Sequence, residues 1–420
     1  MTAATKKRTS PRGLSGGVSR APLSREAQLV LMTAAAAPSQ TDIRQTVDAG
    51  VDWEKLCTIA ASEKAPSVLL RQLGLAGVEG SYAGCQQLRR LATLSLMNTM
   101  QLDQLLHQTL TALAQQNVPT LLLKGAGLGY TAYSSFVDRP MGDIDLLIRP
   151  DDAERTWSLL RASGWAPANP DEDADRYVGH HHLPPMFEQS TKCRLEIHVE
   201  VLPGEHPFRF STDAFWEHAR QLTVNGRTIA VPDPVHQLWH ACVHFAWSHS
   251  MQWGTWRAMR DTAAIVSLQG FDWPRFVSFA RETRATTCCY WTLRLARHTA
   301  NADIPDDALA ALRPPYPEWL LSWLERHFQS SLLASEQRCP SVRLARRLWE
   351  LGMAPGWSGH GNARPWQVTE RWSATSSSTP KSVRLSVMTS LRQLAAGAWY
   401  VLQLCGFTLR VATTSQMASP

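Results

Sequence analysis

Apolar residues recur at three- and four-residue spacing through the first quarter of the chain, from about residue 24 to residue 117. The longest run, Cys85 to Gln116, fills more than one helical stripe with leucines and contains neither proline nor glycine. This is typical of a helix buried on two sides. Val118-Pro119 ends it, because the residue before a proline disfavours the helical conformation. The pattern predicts an N-terminal helical region over residues 23–117, after a polar, disordered tail over 1–22.

The hydrophobic period then changes from that of a helix to that of short buried strands. Thr120–Lys124 is an apolar run followed by alternate glycines, which predicts a strand entering a turn and a helix. Asp143–Arg149 is a second predicted strand, closed by a proline. We expect Asp151 to be the N-cap of a helix that continues to Ala162.

Two further extended segments follow, Tyr177–Glu188 and Cys193–Leu202, and the four residues between them are typical of a hairpin loop. Strands and helices therefore alternate between residues 118 and 233 without any fixed repeat. This order predicts an α+β fold, in which a small mixed β-sheet core is flanked by N-terminal and C-terminal helical regions.

Helical periodicity returns after residue 233 and predicts a C-terminal helical region over residues 234–352. Its clearest helices are Val235–His249, Trp256–Ser267, Trp273–Thr283 and Cys288–Thr299. Residues 353–382, rich in Gly, Pro, Ser and Thr, are predicted to be a linker, and 383–420 a terminal helix and tail. Leu394–Val411 is at the short limit for a bilayer span and carries polar interruptions, so we predict no transmembrane segment.

Composition agrees with a folded protein of two or three domains: 420 residues, 44% hydrophobic and 19% charged. The net charge of +6 suits an anionic ligand, although no dense Lys/Arg stripe accompanies it. Eight cysteines are scattered without a CxxC pair, which favours free thiols in a reducing compartment and a cytoplasmic protein.

The candidate chemistry begins at Asp143 and Asp145, two residues apart on one predicted strand. Because side chains alternate along a strand, both carboxylates point to one face and Ile144 to the other. Carboxylates about 7 Å apart on one strand repel each other, and a divalent cation removes that repulsion. Oxygen ligands favour Mg²⁺ or Mn²⁺.

The strand Arg194–Val201 offers a third carboxylate, since Glu196, His198 and Glu200 alternate with apolar residues. If this strand lies beside the first, the strand spacing of about 4.8 Å brings Glu196 to the same metal centre. We therefore predict Asp143, Asp145 and Glu196 as catalytic and metal-binding residues. Three carboxylates can hold metal ions that bind a triphosphate and activate a hydroxyl.

Phosphate contacts are predicted where the first strand enters its helix, because helix N-termini and nearby glycines favour anions. The predicted nucleotide-binding residues are Lys124, Gly125, Ala126, Arg139, Gly142 and His198. Other roles remain open for three of them. Gly125 can serve a plain turn, Arg139 a salt bridge, and His198 a hydrogen bond to Glu196 or the backbone.

At these residues the chain resembles the polymerase-beta-like nucleotidyltransferase superfamily, and within it an uncharacterised nucleotidyltransferase family from bacterial peptide and polysaccharide biosynthesis clusters. The similarity covers about residues 53–305, with Leu122-Leu123-Lys124-Gly125, Arg139, Gly142-Asp143-Ile144-Asp145 and Glu196-Ile197-His198 as its motifs. It implies metal binding by the three carboxylates and nucleotide contact near Gly125. Where the superfamily has Gly-Ser, this chain has Gly125-Ala126.

The expected reaction is transfer of a nucleoside monophosphate from an NTP, with ATP expected, to an unidentified peptide or sugar acceptor. ATP-dependent phosphoryl transfer at the same site and a non-catalytic binding partner in a biosynthetic cluster are the alternatives. A nucleic-acid acceptor has only the basic N-terminal tail in its favour, and such tails usually stay solvated. His236, His240 and His244, spaced by four, allow a zinc site, but their aromatic neighbours favour packed or pocket histidines.

Overall fold

The computed structural model describes residues 23–78, 83–168, 179–204, 206–333 and 342–353. The predicted N-terminal tail, almost all of the linker and the terminal helix with its apolar stretch lie outside this part of the chain. Within the described residues, no helix is both long and apolar enough to cross a membrane. Six of the eight cysteines fall there, and all six carry free thiols.

The N-terminal region is helical, as its periodicity predicts. Its helices are α1 (Arg25–Met32), α2 (Gln40–Asp48), α3 (Trp53–Ser62), α4 (Pro66–Leu75) and α5 (Ala83–Gln115). Ser24, Ser39 and Asp52 cap the first three helices by accepting a hydrogen bond from the backbone N–H three residues later. The 33 residues of α5 correspond to the long leucine-rich run.

The centre of the molecule is one mixed sheet of seven strands, so the α+β class is confirmed, whereas the sheet is larger than predicted. The strands are β1 (Thr120–Leu122), β2 (Asp143–Ile148), β3 (Trp165–Pro167), β4 (Met186–Glu188), β5 (Arg194–His198), β6 (Ala219–Val224) and β7 (Arg227–Pro232). Their order is β3-β4-β5-β2-β1-β7-β6. β2 runs parallel to β5 and antiparallel to β1, and β7 runs parallel to β1.

Three of these strands were not predicted, and β6 and β7 carried a recognisable signal. They form an antiparallel hairpin whose turn is Asn225-Gly226, with φ of 51° and 74°. An Asn-Gly pair with two positive φ angles is the preferred two-residue hairpin turn, because its twist matches that of the strands. No residue of β6 is buried, so a pattern of buried apolar residues does not reveal this strand.

Helices connect the strands on the two sides of the sheet: α6 (Lys124–Thr131), α7 (Ala153–Ala162) and the short α8 (Asp213–Glu217). The predicted N-cap at Asp151 is wrong. A 3₁₀ turn over Pro150–Asp152 precedes α7, and the residue directly before α7, Asp152, makes no side-chain cap hydrogen bond. The proline starts the turn two residues early because its fixed φ already fits a helical conformation.

Alternation along β2 and β5 divides the apolar residues between two cores. Ile144, Leu146 and Ile148 join Leu195 and Ile197 in the core that packs beneath α5 and α7. On the opposite face, Leu121 and Leu147 pack with the C-terminal helices in a larger core. The acidic residues of β2 lie on that second face, where the strand ends leave an open cavity.

The C-terminal helices cover this face. They are α9 (Pro234–Val243), α10 (Thr255–Val266), α11 (Trp273–Glu282), α12 (Thr286–Thr299), α13 (Asp306–Leu312), α14 (Glu318–Ser331) and α15 (Val342–Met353). Four of them correspond to the predicted helices, and three of the four agree to within two residues at each end. The predicted Val235–His249 helix is not uniform, because α9 passes into a π-helical turn over His244–Ser248. The unpredicted α13 is one short helix between α12 and α14.

Candidate active site

β5 lies directly beside β2 in parallel register, and this pairing brings the acidic residues of two distant segments together. Asp145 is opposite Glu196, and Leu147 is opposite His198. The side chains of Asp145, Glu196 and His198 lie on the same face of the sheet. Their ligand atoms are all within 4.8 Å of one another. Two carboxylates and an imidazole at this spacing can share one divalent ion.

Asp143 is not part of that close group, although it lies two residues earlier on the same strand. His198 takes the third position in the group instead. Its Nε2 is 3.0 Å from Asp145 Oδ1 and 3.7 Å from Glu196 Oε2. The sequence placed His198 on the carboxylate face but assigned it to the nucleotide. In the structure, the nearer of its two carboxylate neighbours is Asp145.

Lys124 supplies the positive charge that balances Asp145. Its Nζ donates to Asp145 Oδ1 at 2.7 Å, and Asp145 is only 3% exposed. Burial alone would raise the pKa of Asp145, but the charge of Lys124 and the hydrogen bond from His198 hold that pKa well below its usual range. Burial likewise opposes the charged form of Lys124, yet Asp145 raises the pKa of this lysine.

Glu196 is held by a second cation, Arg194, which lies two residues earlier on the same strand and forms an ion pair with it. Burial would raise the pKa of Glu196, but the hydrogen bond with His198 and the charges of Lys124 and Arg194 lower it. Both carboxylates of the close group are therefore ionised at neutral pH, as metal ligands must be.

α6 begins at Lys124, whose φ of 44° turns the chain sharply out of β1. The Gly127 N–H bonds back to the carbonyl of Leu123, so the three preceding N–H groups have no partner within the helix. Gly125 lines the cavity, and a Cβ there would lie 2.8 Å from Met141 Sδ and 2.9 Å from Arg139 Nη1. The Ala126 methyl group packs into the core beneath α5 and α7, so only its backbone is available to a ligand.

Arg139 is a buried residue paired with Asp261 of α10. Its Nε and Nη2 donate to the two Asp261 carboxylate oxygens at 2.8 and 2.7 Å, and Tyr133 Oη donates to the same carboxylate at 2.6 Å. This pair is the salt bridge that the sequence left open as an alternative role for Arg139. Arg139 nevertheless borders the cavity, so its predicted phosphate contact remains a prediction.

Two cations near Asp143 were given no role in the site from the sequence: Lys64, between α3 and α4, and Arg257 of α10. A Cβ at Gly142 would overlap the Lys64 ammonium group, so this glycine makes room for Lys64 beside Asp143. Burial and the charge of Arg257 lower the pKa of Lys64, and burial and the charge of Arg139 lower that of Arg257. Burial and the charge of Asp145 raise the pKa of Asp143.

Histidines form another wall of the cavity. The rings of His181 and His182 lie 5.7 and 5.8 Å from that of His198. Burial lowers the pKa of His181 and of His240 to about 3, so both imidazoles are neutral. Among the described residues, only Asp145, Glu196 and His198 form a group of three closely spaced His, Cys, Asp or Glu ligands, and His236, His240 and His244 do not.

Asp143, Asp145, Glu196, His198 and Arg257 line one cavity of about 720 Å³. It is bounded by β2 and β5 on one side and by α9, the π-helical turn and α10 on the other. The lining includes carboxylates and cations from β2, β5, α6 and α10, and histidines and aromatic residues from α9 and the π-helical turn. A volume of this size accommodates a nucleotide-sized ligand.

Comparison with known proteins agrees with this geometry at the level of the family. A family model described as an uncharacterised nucleotidyltransferase matches residues 49–301, which is more than half of the chain. No match was found among the curated proteins or the solved structures. The matched span begins just before α3 and ends just after α12, so it includes Lys64 and Arg257 as well as the carboxylates.

Proposed function

This chain belongs to the uncharacterised nucleotidyltransferase family, and on that premise we propose that it transfers a nucleoside monophosphate from an NTP to an acceptor hydroxyl, releasing pyrophosphate. The observation that carries the proposal is the direct cross-strand pair of Asp145 and Glu196. Both carboxylates face a cavity large enough for a nucleotide, with a lysine ammonium group 2.7 Å from one of them.

The proposed metal-binding residues are Asp143, Asp145 and Glu196, with His198 beside them. The donor set fits Mg²⁺ or Mn²⁺, because two of its closest members are ionised carboxylates and the imidazole is compatible with Mn²⁺. When bound, such an ion neutralises triphosphate charge and lowers the pKa of an attacking hydroxyl. Glu196 serves as the third ligand or as the general base that receives the acceptor's proton.

Lys124 has a separate proposed role on the leaving-group side. Its ammonium group stays charged, because Asp145 raises its pKa, and it lies at the start of α6. A leaving pyrophosphate gains negative charge in the transition state, and a fixed cation stabilises that charge. Backbone N–H groups at the start of α6 supply neutral donors to the same anion.

The acceptor is expected to be a peptide or a sugar, and ATP is the expected NTP. The test incubates the full chain and Mg²⁺ or Mn²⁺ with each NTP and with candidate acceptors, and measures product mass. A gain of one nucleotide is the expected result, and a gain of one phosphate would establish a phosphotransferase instead. Metal-dependent ATP binding, measured by calorimetry without any acceptor, is expected as well and would be missing from a scaffold protein.

The matched variants are Asp143→Asn with Asp145→Asn, and Asp151→Asn as the control. Asp151 is an exposed carboxylate just past the end of β2, and it does not line the cavity. The double variant should lose transfer, and the control should keep it. Full transfer by the double variant would rule the mechanism out.

A further inference from the structure

The cationic side chains around the site differ in whether they form a close ion pair with a carboxylate. Lys124, Arg194 and Arg139 are each ion-paired, to Asp145, Glu196 and Asp261 respectively. Among the described residues, neither the Lys64 ammonium group nor the Arg257 guanidinium group makes a side-chain hydrogen bond or a close ion pair, although the charge of Asp143 partly offsets the lowering of both pKa values by burial. Both are partly buried, so solvent does not fully compensate their charge.

A hydrogen bond of Glu63 connects the two segments of the chain that carry these cations. This buried carboxylate accepts a hydrogen bond from the backbone N–H of Trp256 at 3.0 Å, at the beginning of α10. Its neighbour Lys64 adopts a left-handed conformation, with φ of 59°, and Arg257 directly follows Trp256. One carboxylate-to-helix contact therefore joins the end of α3 to the start of α10 and brings an ammonium and a guanidinium group towards each other.

Two glycines leave the space that these side chains occupy. A Cβ at Gly142 would overlap Lys64 Nζ, and a Cβ at Gly254 would lie 3.1 Å from Arg257 Nη2. Gly142 directly precedes Asp143, so the Lys64 ammonium group lies at the entrance to the carboxylate strand. Arg257 also lines the cavity that contains Asp143 and Asp145.

Two like charges held close together without a bound anion are unfavourable, and a multiply charged anion between them removes the repulsion. We propose that Lys64 and Arg257 form a polyphosphate-binding pair that receives the terminal phosphates of the nucleotide beside Asp143. This assignment rests on the proposed function for the identity of the nucleotide. The chemistry of the pair itself requires only an anion with several phosphate oxygens.

Inorganic tripolyphosphate is the probe, because it contains the anionic part of an NTP and neither base nor ribose. Its binding to the full chain in the presence of Mg²⁺ is measured by calorimetry for Lys64→Met and Arg257→Met. Each variant should weaken binding by about tenfold or more, because each removes a charge-assisted contact. Gly142→Ala should weaken it as well, by displacing Lys64 without removing a charge.

Matched controls separate this effect from a general change in charge. Lys192→Met replaces an exposed lysine that also has a positive φ, and Arg161→Met replaces an exposed arginine on α7. Both should bind tripolyphosphate within about twofold of the wild type, since screened surface charges contribute little.

Stability provides the readout that a purely structural role would not give. If the two cations serve a ligand, replacing either by methionine leaves the melting temperature of the ligand-free protein unchanged or raises it. If they instead hold α3 and α10 together, the same variants melt lower. Lower melting temperatures with unchanged tripolyphosphate affinity would overturn the proposal, as would a wild-type protein that does not bind tripolyphosphate.

The outcome is independent of the transfer reaction. Loss of tripolyphosphate binding in both variants supports the polyphosphate site even if no NTP is ever turned over. Conversely, nucleotide transfer with unchanged KM for the NTP in both variants would retain the proposed function and reject this site.

Discussion

Asp143 and Asp145 lie two residues apart on the same strand, yet their surroundings are opposite. Asp145 is buried and bonded to Lys124 and His198, whereas Asp143 is partly exposed and has neither contact. The pKa of Asp145 is held well below its usual range and that of Asp143 is raised. Two carboxylates that look equivalent in the sequence therefore have different electrostatic surroundings in the site.

The difference distinguishes charges that the folded protein itself neutralises from charges that a bound ligand would neutralise. Around Asp145, the cation and the carboxylates satisfy one another. Around Asp143, the charges of Lys64 and Arg257 are offset only by longer-range attraction to Asp143, and neither side chain forms a close ion pair among the described residues. Polar groups that are hydrogen-bonded or ion-paired within the protein stabilise one conformation of the site. Charged groups without such a partner indicate where a ligand of opposite charge can bind favourably.

The largest expected effect tests this contrast directly, with alanine at each aspartate. Both Asp143→Ala and Asp145→Ala should lower kcat at least about 1000-fold, which corresponds to roughly 4 kcal/mol of transition-state stabilisation. Only Asp145→Ala should also destabilise the fold, by about 3 kcal/mol, because it leaves Lys124 and His198 buried without their partner. Urea unfolding of the two variants measures this. Equal losses of stability would contradict the division of the site.

The next largest effect concerns Arg139 and Asp261, which the fold has fully paired. Asp261→Ala should cost about 3 kcal/mol, because it leaves a buried guanidinium group unpaired. Combining Arg139→Met with Asp261→Leu should recover most of that stability, since two apolar residues need no partner. Transfer by this double variant then decides the role of Arg139. Normal KM for the NTP would show a structural pair, and a strongly raised KM would support its predicted phosphate contact.

A smaller effect lies in the pH dependence of stability, measured without divalent ions. A carboxyl group with a lowered folded pKa stabilises the protein above its unfolded pKa and stops doing so as pH falls through the folded value. Asp145→Asn should therefore destabilise at neutral pH, and its deficit should shrink only in strong acid.

For Asp143 the sign is reversed. A raised folded pKa means that the ionised group opposes folding, so stability is lost as pH rises through that value. Asp143→Asn should therefore be more stable than the wild type at neutral pH. Its advantage should vanish as pH falls below the ordinary range of an aspartate. Parallel pH profiles for the two asparagine variants would contradict the opposite pKa shifts.

Local pattern was enough to predict the helices before residue 117, strands β1 and β2, and the alternation that turns Asp143 and Asp145 to one face. It also supplied Glu196, because a hairpin strand with alternating polar residues can lie beside β2. Strand β6 was not predicted because it has no buried apolar face, although Asn225-Gly226 indicated the turn that follows it.

Lys64 and Arg257 could not be predicted in the same way, because their relation to the site depends on tertiary contacts. They are 193 residues apart, as are Glu63 and Trp256, whose hydrogen bond joins their helices. No periodicity connects a turn after α3 with the start of α10. The one local clue was Gly142, whose missing side chain leaves room for Lys64. A glycine before a strand is equally typical of a simple turn, so this clue did not point to a distant lysine.

The smallest expected effect comes from Ile144, which separates the two aspartates in sequence but faces the opposite core. It is fully buried among the residues beneath α5, so Ile144→Val should cost about 1 kcal/mol of stability. Its kcat and KM should stay within about twofold of the wild type, because no cavity-lining group moves. This variant is a control for the aspartate experiments. If its kcat falls markedly although stability falls only slightly, then the lower kcat of Asp145→Ala reflects a weakened sheet, and a direct catalytic role of the Asp145 carboxylate is contradicted.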